Sequence, residues 1–344
     1  MLFNMKQLQY VPIDDYITEN GTSFSIPLSY QTFGKPLHEA PIVLVNHALT
    51  GNSTICGEDG WWNELIGEDK CIDTNLYTIL AFNIPGNGFD GKPNHLIENY
   101  KDFTARDIAG IFVECLKQLE IKELYAVIGG SVGGGIAWEL SALKPEMCKH
   151  VIPIATDWKS TDWVIANCFI QDNILNHSSK PLYDARLHAM TLYRTPESFT
   201  DKFKRTKKSN EFFNIESWLD YHGDVLTNRF QLSAYKIMNQ VLKTIDITNN
   251  RGSFLEVASK IKSDVHIITI NTDLFFKSDE NWDTYVELKS VKDNVTIGEI
   301  KSMHGHDAFL IEFHQLTALL KPIFNTQKTE KKSEDHTYCS VRNW

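Results

Sequence analysis

Apolar runs alternate with amphipathic segments along most of the chain. Six runs of six residues are predominantly apolar and typical of buried strands: "PIVLVN", "YTILAF", "LYAVIG", "HVIPIA", "VHIITI" and "VTIGEI". Between the second and third runs, apolar residues from Ile108 to Leu119 fall on one helical stripe, and Thr104 is placed to begin that helix. Strands and helices alternating in this way predict a mostly parallel sheet covered on both faces.

The same pattern continues towards both ends of the chain. The segment "SFSIPLSYQTFG" follows the turn signal Asn20-Gly21 and predicts an early strand. "GGGIAWELSALKP" predicts a helix that Pro145 ends, and "HDAFLIEFHQLTALLKPIF" predicts a terminal amphipathic helix.

Residues 158–250 interrupt this alternation. They are rich in aromatic and charged residues, have helical character and lack clear strand segments. We therefore predict that 1–157 and 251–324 form one core and that 158–250 form a helical lid over the carboxyl edge of its sheet. The polar, aperiodic segment 325–344 is expected to be a mobile tail.

Composition narrows the class of protein. The net charge of −10 argues against a nucleic-acid or anionic-membrane surface, because both need clustered Lys and Arg. No apolar stretch approaches the roughly 18 residues of a membrane-spanning helix. The N-terminal residues lack the pattern of a secretory signal, and the six cysteines are scattered without a C-x-x-C pair. We therefore expect a cytoplasmic protein with reduced thiols and no bound metal ion.

Two glycine-rich segments are candidates for a functional loop. The first, "GNGFDGK" at 86–92, fits both common phosphate-loop spacings. Pro93 stands where a Walker loop needs Ser or Thr, and the following "PNHLIENY" does not begin a helix that could face the phosphates. These features favour an ordinary loop over a nucleotide-binding loop.

The second glycine-rich segment, "GGSVGGG", surrounds Ser131. Its glycines miss the dinucleotide spacing, but residues 129–133 fit G-x-S-x-G between a predicted strand and a predicted helix. A nucleophile elbow requires that context. It also requires glycines, because side chains at the flanking positions would collide across the tight turn. The alternative is a glycine-rich turn without a catalytic role.

A nucleophilic serine needs a base and an acid that orients the base, in the chain order Ser, Asp or Glu, then His. Asp273 follows "VHIITIN" at once, whereas Asp279 and Glu280 lie further along and are expected to be solvated. His304 and His306 both follow "VTIGEI". We choose His306 because it stands directly before the predicted terminal helix.

Acyl chemistry also needs an oxyanion hole. The N–H after the serine, that of Val132, is one donor, and the loop after an early strand supplies the other. "VNHALTGNS" occupies that place, and His47 within it is expected to be structural. The serine turn, its two partners and this loop together predict an α/β-hydrolase fold.

These residues resemble the homoserine O-acetyltransferase family of the α/β-hydrolase superfamily. The resemblance runs from about residue 10 to 324 and rests on "NHALTGNS", "GWWNELIG", "FTARDI", "VIGGSVGG", "DARLHAMTLYR", "FFNIESWLDYHGDVLTNRF" and "GHDAFLIE". It implies that acetyl-CoA acylates Ser131 and that L-homoserine accepts the acetyl group, as a step towards methionine. It also implies no permanent cofactor and a homodimer formed through the lid helices.

The resemblance assigns further roles in the site. It implies that Leu49 and Val132 supply the oxyanion N–H groups. It implies that Arg186 and Tyr193 grip the homoserine carboxylate and that Asp307 binds its ammonium. An amino-acid acceptor presents both charges, so a cation and an anion in one dry pocket suit it.

The chain departs from the family pattern in three places. The loop "IPGNGFDGKPNH" is shortened, Val132 and Gly135 stand where methionines are usual, and "NRFQLSAY" lacks the usual Asp-Ala-Asn. The triad survives these changes, but acetyl or succinyl as acyl group and homoserine or serine as acceptor stay open.

Two rival functions are distinguished by the same residues. A hydrolase with this triad would use water, and it needs neither a lid nor an amino-acid clamp, so Arg186, Tyr193 and Asp307 favour transfer. A non-catalytic binding protein of the same fold has no need of the full set Ser131, Asp273 and His306.

Overall fold

The computed structural model describes residues 8–324. Its strands are β1 (Gln9–Ile17), β2 (Ser23–Gly34), β3 (Ile42–Asn46), β4 (Ile66–Gly67), β5 (Ile72–Asp73), β6 (Thr78–Phe82), β7 (Leu124–Gly130), β8 (Cys148–Ile154), β9 (Asp264–Ile270) and β10 (Val295–Ile300). Each of the six apolar runs falls in one strand, so those predictions are confirmed. The strand expected from "SFSIPLSYQTFG" is β2.

Ten α-helices lie in the described part of the chain. They are α1 (Ala105–Gln118), α2 (Val132–Leu143), α3 (Asp162–His177), α4 (Pro181–Tyr193), α5 (Pro196–Phe203), α6 (Asn214–Arg229), α7 (Leu232–Lys243), α8 (Phe254–Ala258), α9 (Ser278–Lys289) and α10 (Phe313–Phe324). Short 3₁₀ helices occupy Pro93–His95, Tyr100–Asp102 and Gly305–Leu310.

Eight strands form one sheet in the order β1-β2-β6-β3-β7-β8-β9-β10. The pairs β1–β2 and β2–β6 are antiparallel, and every later neighbouring pair is parallel. Strands β3, β6 and β7 are buried throughout, as strands covered on both faces must be. The predicted mostly parallel sheet is confirmed, and its parallel strands end at a common edge.

The core lies on both faces of this sheet. In β3, Leu44 packs in the apolar cluster that contains Phe112 of α1. Its neighbours Val43 and Val45 pack in the opposite cluster, which contains Leu316 of α10. Successive strand residues point to opposite faces, so one apolar run supplies both layers.

Helix α1 begins where the sequence predicts. The Thr104 hydroxyl accepts a hydrogen bond from the Asp107 N–H at 3.2 Å, and the Asp107 carboxylate accepts one from the Thr104 N–H at 2.8 Å. This reciprocal pair satisfies two donors that the first helical turn would otherwise leave unbonded.

Helices α3 to α7 form what we call the helical segment, residues 162–243. The chain leaves the core after β8 and returns beside its point of departure, where Lys159 and Asp246 form an isolated antiparallel bridge. The division of the chain at 158 and 250 stays a prediction, and the predicted tail 325–344 lies outside the described residues.

The terminal helix differs from the prediction. A single helix was expected from His306 onwards, but a 3₁₀ helix over Gly305–Leu310 ends before α10 starts at Phe313. Gly305 has φ of 65°, and Ile311 leaves helical geometry with φ of −127°. Because of this break, His306 stays at the carboxyl edge of the sheet, while α10 packs along one face.

Candidate active site

Ser131 occupies the sharp turn between β7 and α2. Its backbone has φ of 56° and ψ of −128°, a conformation that a non-glycine residue rarely adopts. The Ser131 N–H donates to the carbonyl oxygen of Ile154 on the adjacent strand β8 at 2.8 Å. This hydrogen bond fixes the strained residue to the sheet.

Close backbone contacts explain the glycines on either side of Ser131. A Cβ on Gly129 would lie 2.4 Å from the carbonyl carbon of Gly133. A Cβ on Gly133 would lie 2.5 Å from the backbone oxygen of Asn46, at the end of β3. Neither contact can relax without moving backbone, so the turn admits only glycine at these two positions.

The structure brings Ser131, Asp273 and His306 together from three strand ends. His306 Nε2 lies 2.9 Å from Ser131 Oγ, and His306 Nδ1 lies 2.7 Å from Asp273 Oδ2. The other oxygen of Asp273 accepts hydrogen bonds from the N–H groups of Phe275 at 2.7 Å and Phe276 at 3.0 Å. These distances are those of a nucleophile, a base and an orienting acid.

His306 is buried among aromatic rings. Its ring centroid lies 5.4 Å from that of Phe275, 5.7 Å from that of Phe309 and 5.6 Å from that of Tyr193. Burial by itself lowers the pKa of His306, but the charge and hydrogen bond of Asp273, with the charge of Asp307, raise it above the ordinary value of 6.5. The raised pKa of His306 favours uptake of a proton, as a general base requires.

The first N–H groups of an α-helix precede its hydrogen-bond ladder, and in α2 these belong to Val132 and Gly133. The N–H groups of the next two residues, Gly134 and Gly135, donate to the Ser131 carbonyl oxygen at 2.9 and 3.2 Å. Val132, the first helical residue, directly follows the nucleophile. Leu49 lies in the loop after β3 and is buried.

His47 links that loop to the next one. Its Nδ1 lies 2.8 Å from the Ala48 carbonyl oxygen, and its Nε2 accepts a hydrogen bond from the Ile84 N–H at 3.0 Å. Burial lowers the pKa of His47 to about 4, so the ring is neutral. These contacts match the structural role expected for His47.

The three residues that resemblance assigns to the acceptor lie beside the triad. Tyr193, at the end of α4, contacts the His306 ring, and the Arg186 guanidinium lies 5.8 Å from the centre of the Tyr193 ring. Asp307 directly follows His306. Burial raises the pKa of Asp307, while the positive charges of His306 and Arg186 oppose that rise.

Arg186 differs from the neighbouring Arg194 in its partners. Arg194 donates to Ser198 Oγ at 3.0 Å, approaches His304 Nδ1 to 3.0 Å and lies 3.9 Å from the Asp307 carboxylate. Among the described residues, Arg186 makes no ion pair or hydrogen bond. Its guanidinium is therefore available to a carboxylate from outside the protein.

Two arginines of this site were missed by sequence reasoning. Arg194 fixes His304 and approaches Asp307, as described above. Arg229, at the end of α6, donates to the Thr50 carbonyl oxygen at 3.1 Å. Both lie in segments that carry the family resemblance, but Arg194 meets His304 and Arg229 meets Thr50 only through long-range folding.

The glycine loop at 86–92 does not have the geometry of a phosphate loop. It is followed by the three-residue 3₁₀ helix Pro93–His95, which begins with proline. Gly86, Gly88 and Gly91 all have positive φ, so the glycines serve the turns of the loop itself.

No helix within residues 8–324 combines the length and apolarity needed to cross a membrane.

The chain is similar to known proteins in both sequence and structure. Residues 41–171 match the family described as alpha/beta hydrolase fold. A homoserine O-acetyltransferase from Cyclobacterium marinum is 33% identical over 89% of this chain and 92% of its own. Among solved structures, the homoserine O-acetyltransferase from Bacillus anthracis is 20% identical, with a TM-score of 0.85 over 93% of this chain and 97% of its own.

A solved esterase shares the same architecture. Esterase E22 is 16% identical to this chain, with a TM-score of 0.83 over 92% of this chain and 99% of its own. These structural similarities confirm the α/β-hydrolase fold predicted from the sequence. Because they include both a transferase and an esterase, the fold does not by itself select the reaction.

Proposed function

The chain belongs to the homoserine O-acetyltransferase family, and we propose that it moves an acetyl group from acetyl-CoA to the side-chain hydroxyl of L-homoserine. The reaction would be a cytoplasmic step of methionine biosynthesis and proceeds through an acyl-enzyme on Ser131. The observation that carries the proposal is the position of Arg186, Tyr193 and Asp307 directly beside the triad.

In the first half-reaction, His306 accepts the Ser131 proton while Oγ attacks the thioester carbonyl carbon. The resulting oxyanion is stabilised by the N–H groups of Val132, which directly follows Ser131 at the start of α2, and of Leu49, in the loop after β3. When the oxyanion collapses, the C–S bond breaks, and the CoA thiolate takes the proton from His306. The products are acetyl-Ser131 and CoA.

In the second half-reaction, Arg186 and Tyr193 hold the homoserine carboxylate and Asp307 holds the ammonium. His306 takes the proton from the side-chain hydroxyl, whose oxygen attacks the acetyl carbonyl. Collapse of the second oxyanion breaks the bond to Ser131 Oγ and returns the proton from His306 to that oxygen. O-acetylhomoserine leaves, and the enzyme is restored.

Water is the competing acceptor at the acyl-enzyme stage. The aromatic rings around His306 and the burial of Ser131 limit its access, which favours transfer over hydrolysis. The free guanidinium of Arg186 favours an acceptor that carries a carboxylate. A simple esterase has no use for either feature.

The decisive experiment follows CoA release from acetyl-CoA or succinyl-CoA, with homoserine, serine or no acceptor. We expect sustained release only with acetyl-CoA and homoserine. Faster release with succinyl-CoA or serine would change the assigned donor or acceptor. Equally fast release without any acceptor would identify a hydrolase, and no release with any pair would contradict acyl transfer.

We also propose that two copies associate through the helical segment. Helix α3 exposes Trp163, Phe169 and Ile170, and α6 exposes Tyr221, all of which are large apolar side chains. Light scattering after gel filtration should give the mass of a dimer, and Phe169→Asp should give that of a monomer. Val291→Asp, at an exposed apolar residue outside the segment, is the matched control. A monomeric parent protein would contradict this proposal.

A further inference from the structure

A second cluster of ligand-type side chains lies at the opposite end of the sheet from Ser131. His150 in β8 and Asp264 in β9 are direct neighbours in the strand register, and His266 follows Asp264 by two residues. Residues two apart on a strand share a face, so the three side chains project together. One ligand atom from each lies within 4.8 Å of those of the other two.

The distances fit one small divalent cation. Two ligand atoms held tetrahedrally at the usual zinc bond lengths lie about 3.3–3.6 Å apart. His150 Nδ1 lies 3.2 Å from His266 Nε2 and 3.5 Å from Asp264 Oδ2. Two imidazole nitrogens and one carboxylate oxygen form a donor set that suits Zn²⁺.

Neighbouring side chains orient two of these three residues. Asp264 Oδ1 accepts a hydrogen bond from Asn294 Nδ2 at 2.6 Å, so Oδ2 is the oxygen left facing His150. His266 Nδ1 lies 2.9 Å from Thr296 Oγ1, and donation to that oxygen leaves the lone pair of Nε2 directed at the cluster. Metal-binding histidines and carboxylates are held in this way by their outer neighbours.

We propose that His150, Asp264 and His266 bind one Zn²⁺ ion, which joins β8 to β9. The cluster borders a cavity of about 560 Å³ lined also by Leu319 and Ile323 of α10, so an ion can reach it from solvent. Three protein ligands leave the fourth tetrahedral position to water.

The site is independent of acyl transfer. Asp264 begins β9 and Asp273 follows its end, and six residue steps along a strand cover about 20 Å. At that separation an ion at the cluster touches none of the triad residues. Loss of the site should leave the transfer rate unchanged, so the two proposals fail separately.

The test is calorimetric titration of the chelator-treated full-length protein with Zn²⁺. We expect one ion per chain, with affinity reduced by more than about 100-fold by His266→Gln and by Asp264→Asn, since each removes a direct ligand. Thr296→Val, which removes only an outer neighbour, should reduce affinity about 10–100-fold. His177→Gln, at an exposed histidine on α3, is the matched control and should change nothing.

Further measurements test whether the variants are correctly folded. Circular dichroism and the acyl-transfer rate should be the same in all variants, and Zn²⁺ should raise the Tm of the parent protein but not that of His266→Gln. The competing interpretation is a plain hydrogen bond between the two histidine rings. Absence of saturable Zn²⁺ binding, or equal affinity in parent and His266→Gln, would establish that interpretation and overturn the proposal.

Discussion

The serine turn, residues 129–133, and the helical segment differ in how closely their residues are packed. Every residue from 124 to 141, covering β7, the turn and most of α2, is buried, and backbone atoms approach so closely that glycines are required. The helical segment instead exposes large side chains: Phe169 is 60% and Tyr221 is 62% exposed. It contacts the triad mainly through Tyr193, which packs against His306.

We infer from this difference that the serine turn carries the chemistry and that the helical segment selects the substrate. The turn positions Ser131, and a Cβ added at Gly129 or Gly133 would collide with backbone atoms. The helical segment supplies Tyr193, which packs against His306, and Arg186 over the Tyr193 ring, and we propose that both act on the acceptor. A change in that segment can therefore alter what accepts the acyl group while the triad geometry persists.

The largest effect should come from the turn itself. Ser131→Ala removes the nucleophile, and we expect the rate of CoA release to fall by about 10⁴–10⁶-fold. Ser209→Ala, at an exposed serine of the helical segment, is the control and should retain the parent rate. Acceptor-dependent release that survives Ser131→Ala would show that chemistry is not located in the turn.

A single added methyl group should also damage the turn. In Gly133→Ala the new Cβ would lie 2.5 Å from the Asn46 backbone oxygen, and overpacking of this kind costs about 1–3 kcal/mol of stability. Denaturant unfolding measures the loss. In the control Gly67→Ala, the new Cβ first meets the flexible Lys70 side chain, at 3.1 Å, and should cost much less. Equal losses would contradict the special tightness of the turn.

Arg186→Ala tests the helical segment. Loss of a charge-assisted hydrogen bond of about 1.5–3 kcal/mol should raise the KM for the amino acid about 10–100-fold. The burst of CoA release from acetyl-CoA alone should be unchanged, since Arg186 is assigned to the acceptor. Arg205→Ala, at an exposed arginine, is the control. A burst abolished by Arg186→Ala would place this residue in the acylation step instead.

The smallest expected effect is a shift in the pH dependence of acylation. His306 must be neutral to accept the Ser131 proton, and its pKa is raised above 6.5, so acylation should decline as pH falls through a midpoint above that value. Asp307→Asn removes one negative charge that raises this pKa, so the midpoint should move to lower pH. Burst kinetics without acceptor isolate this effect from any loss of homoserine binding. An unmoved midpoint would mean that Asp307 does not influence the base.

The strands, the mostly parallel sheet and the serine turn could be predicted from sequence because each follows from local patterns. Apolar runs define buried strands, and G-x-S-x-G between a strand and a helix indicates a nucleophile elbow. Asp273 and His306 followed from chain order at strand ends. The terminal helix was predicted wrongly because helical periodicity continues through Ile311, whereas tertiary packing divides the segment there.

Chain order predicted Ser131 and His306 as partners, but only the tertiary structure brings distant residues into contact. Ser131 and His306 are 175 residues apart, and their 2.9 Å contact depends on three strands ending at one edge. Arg194 reaches His304 across 110 residues, and His150 reaches His266 across 116, so no spacing in the chain announced either pair. For the same reason, no metal ion is expected from the sequence. Local periodicity selects strands and turns, but strand register, set by pairing along the whole sheet, selects which side chains become neighbours.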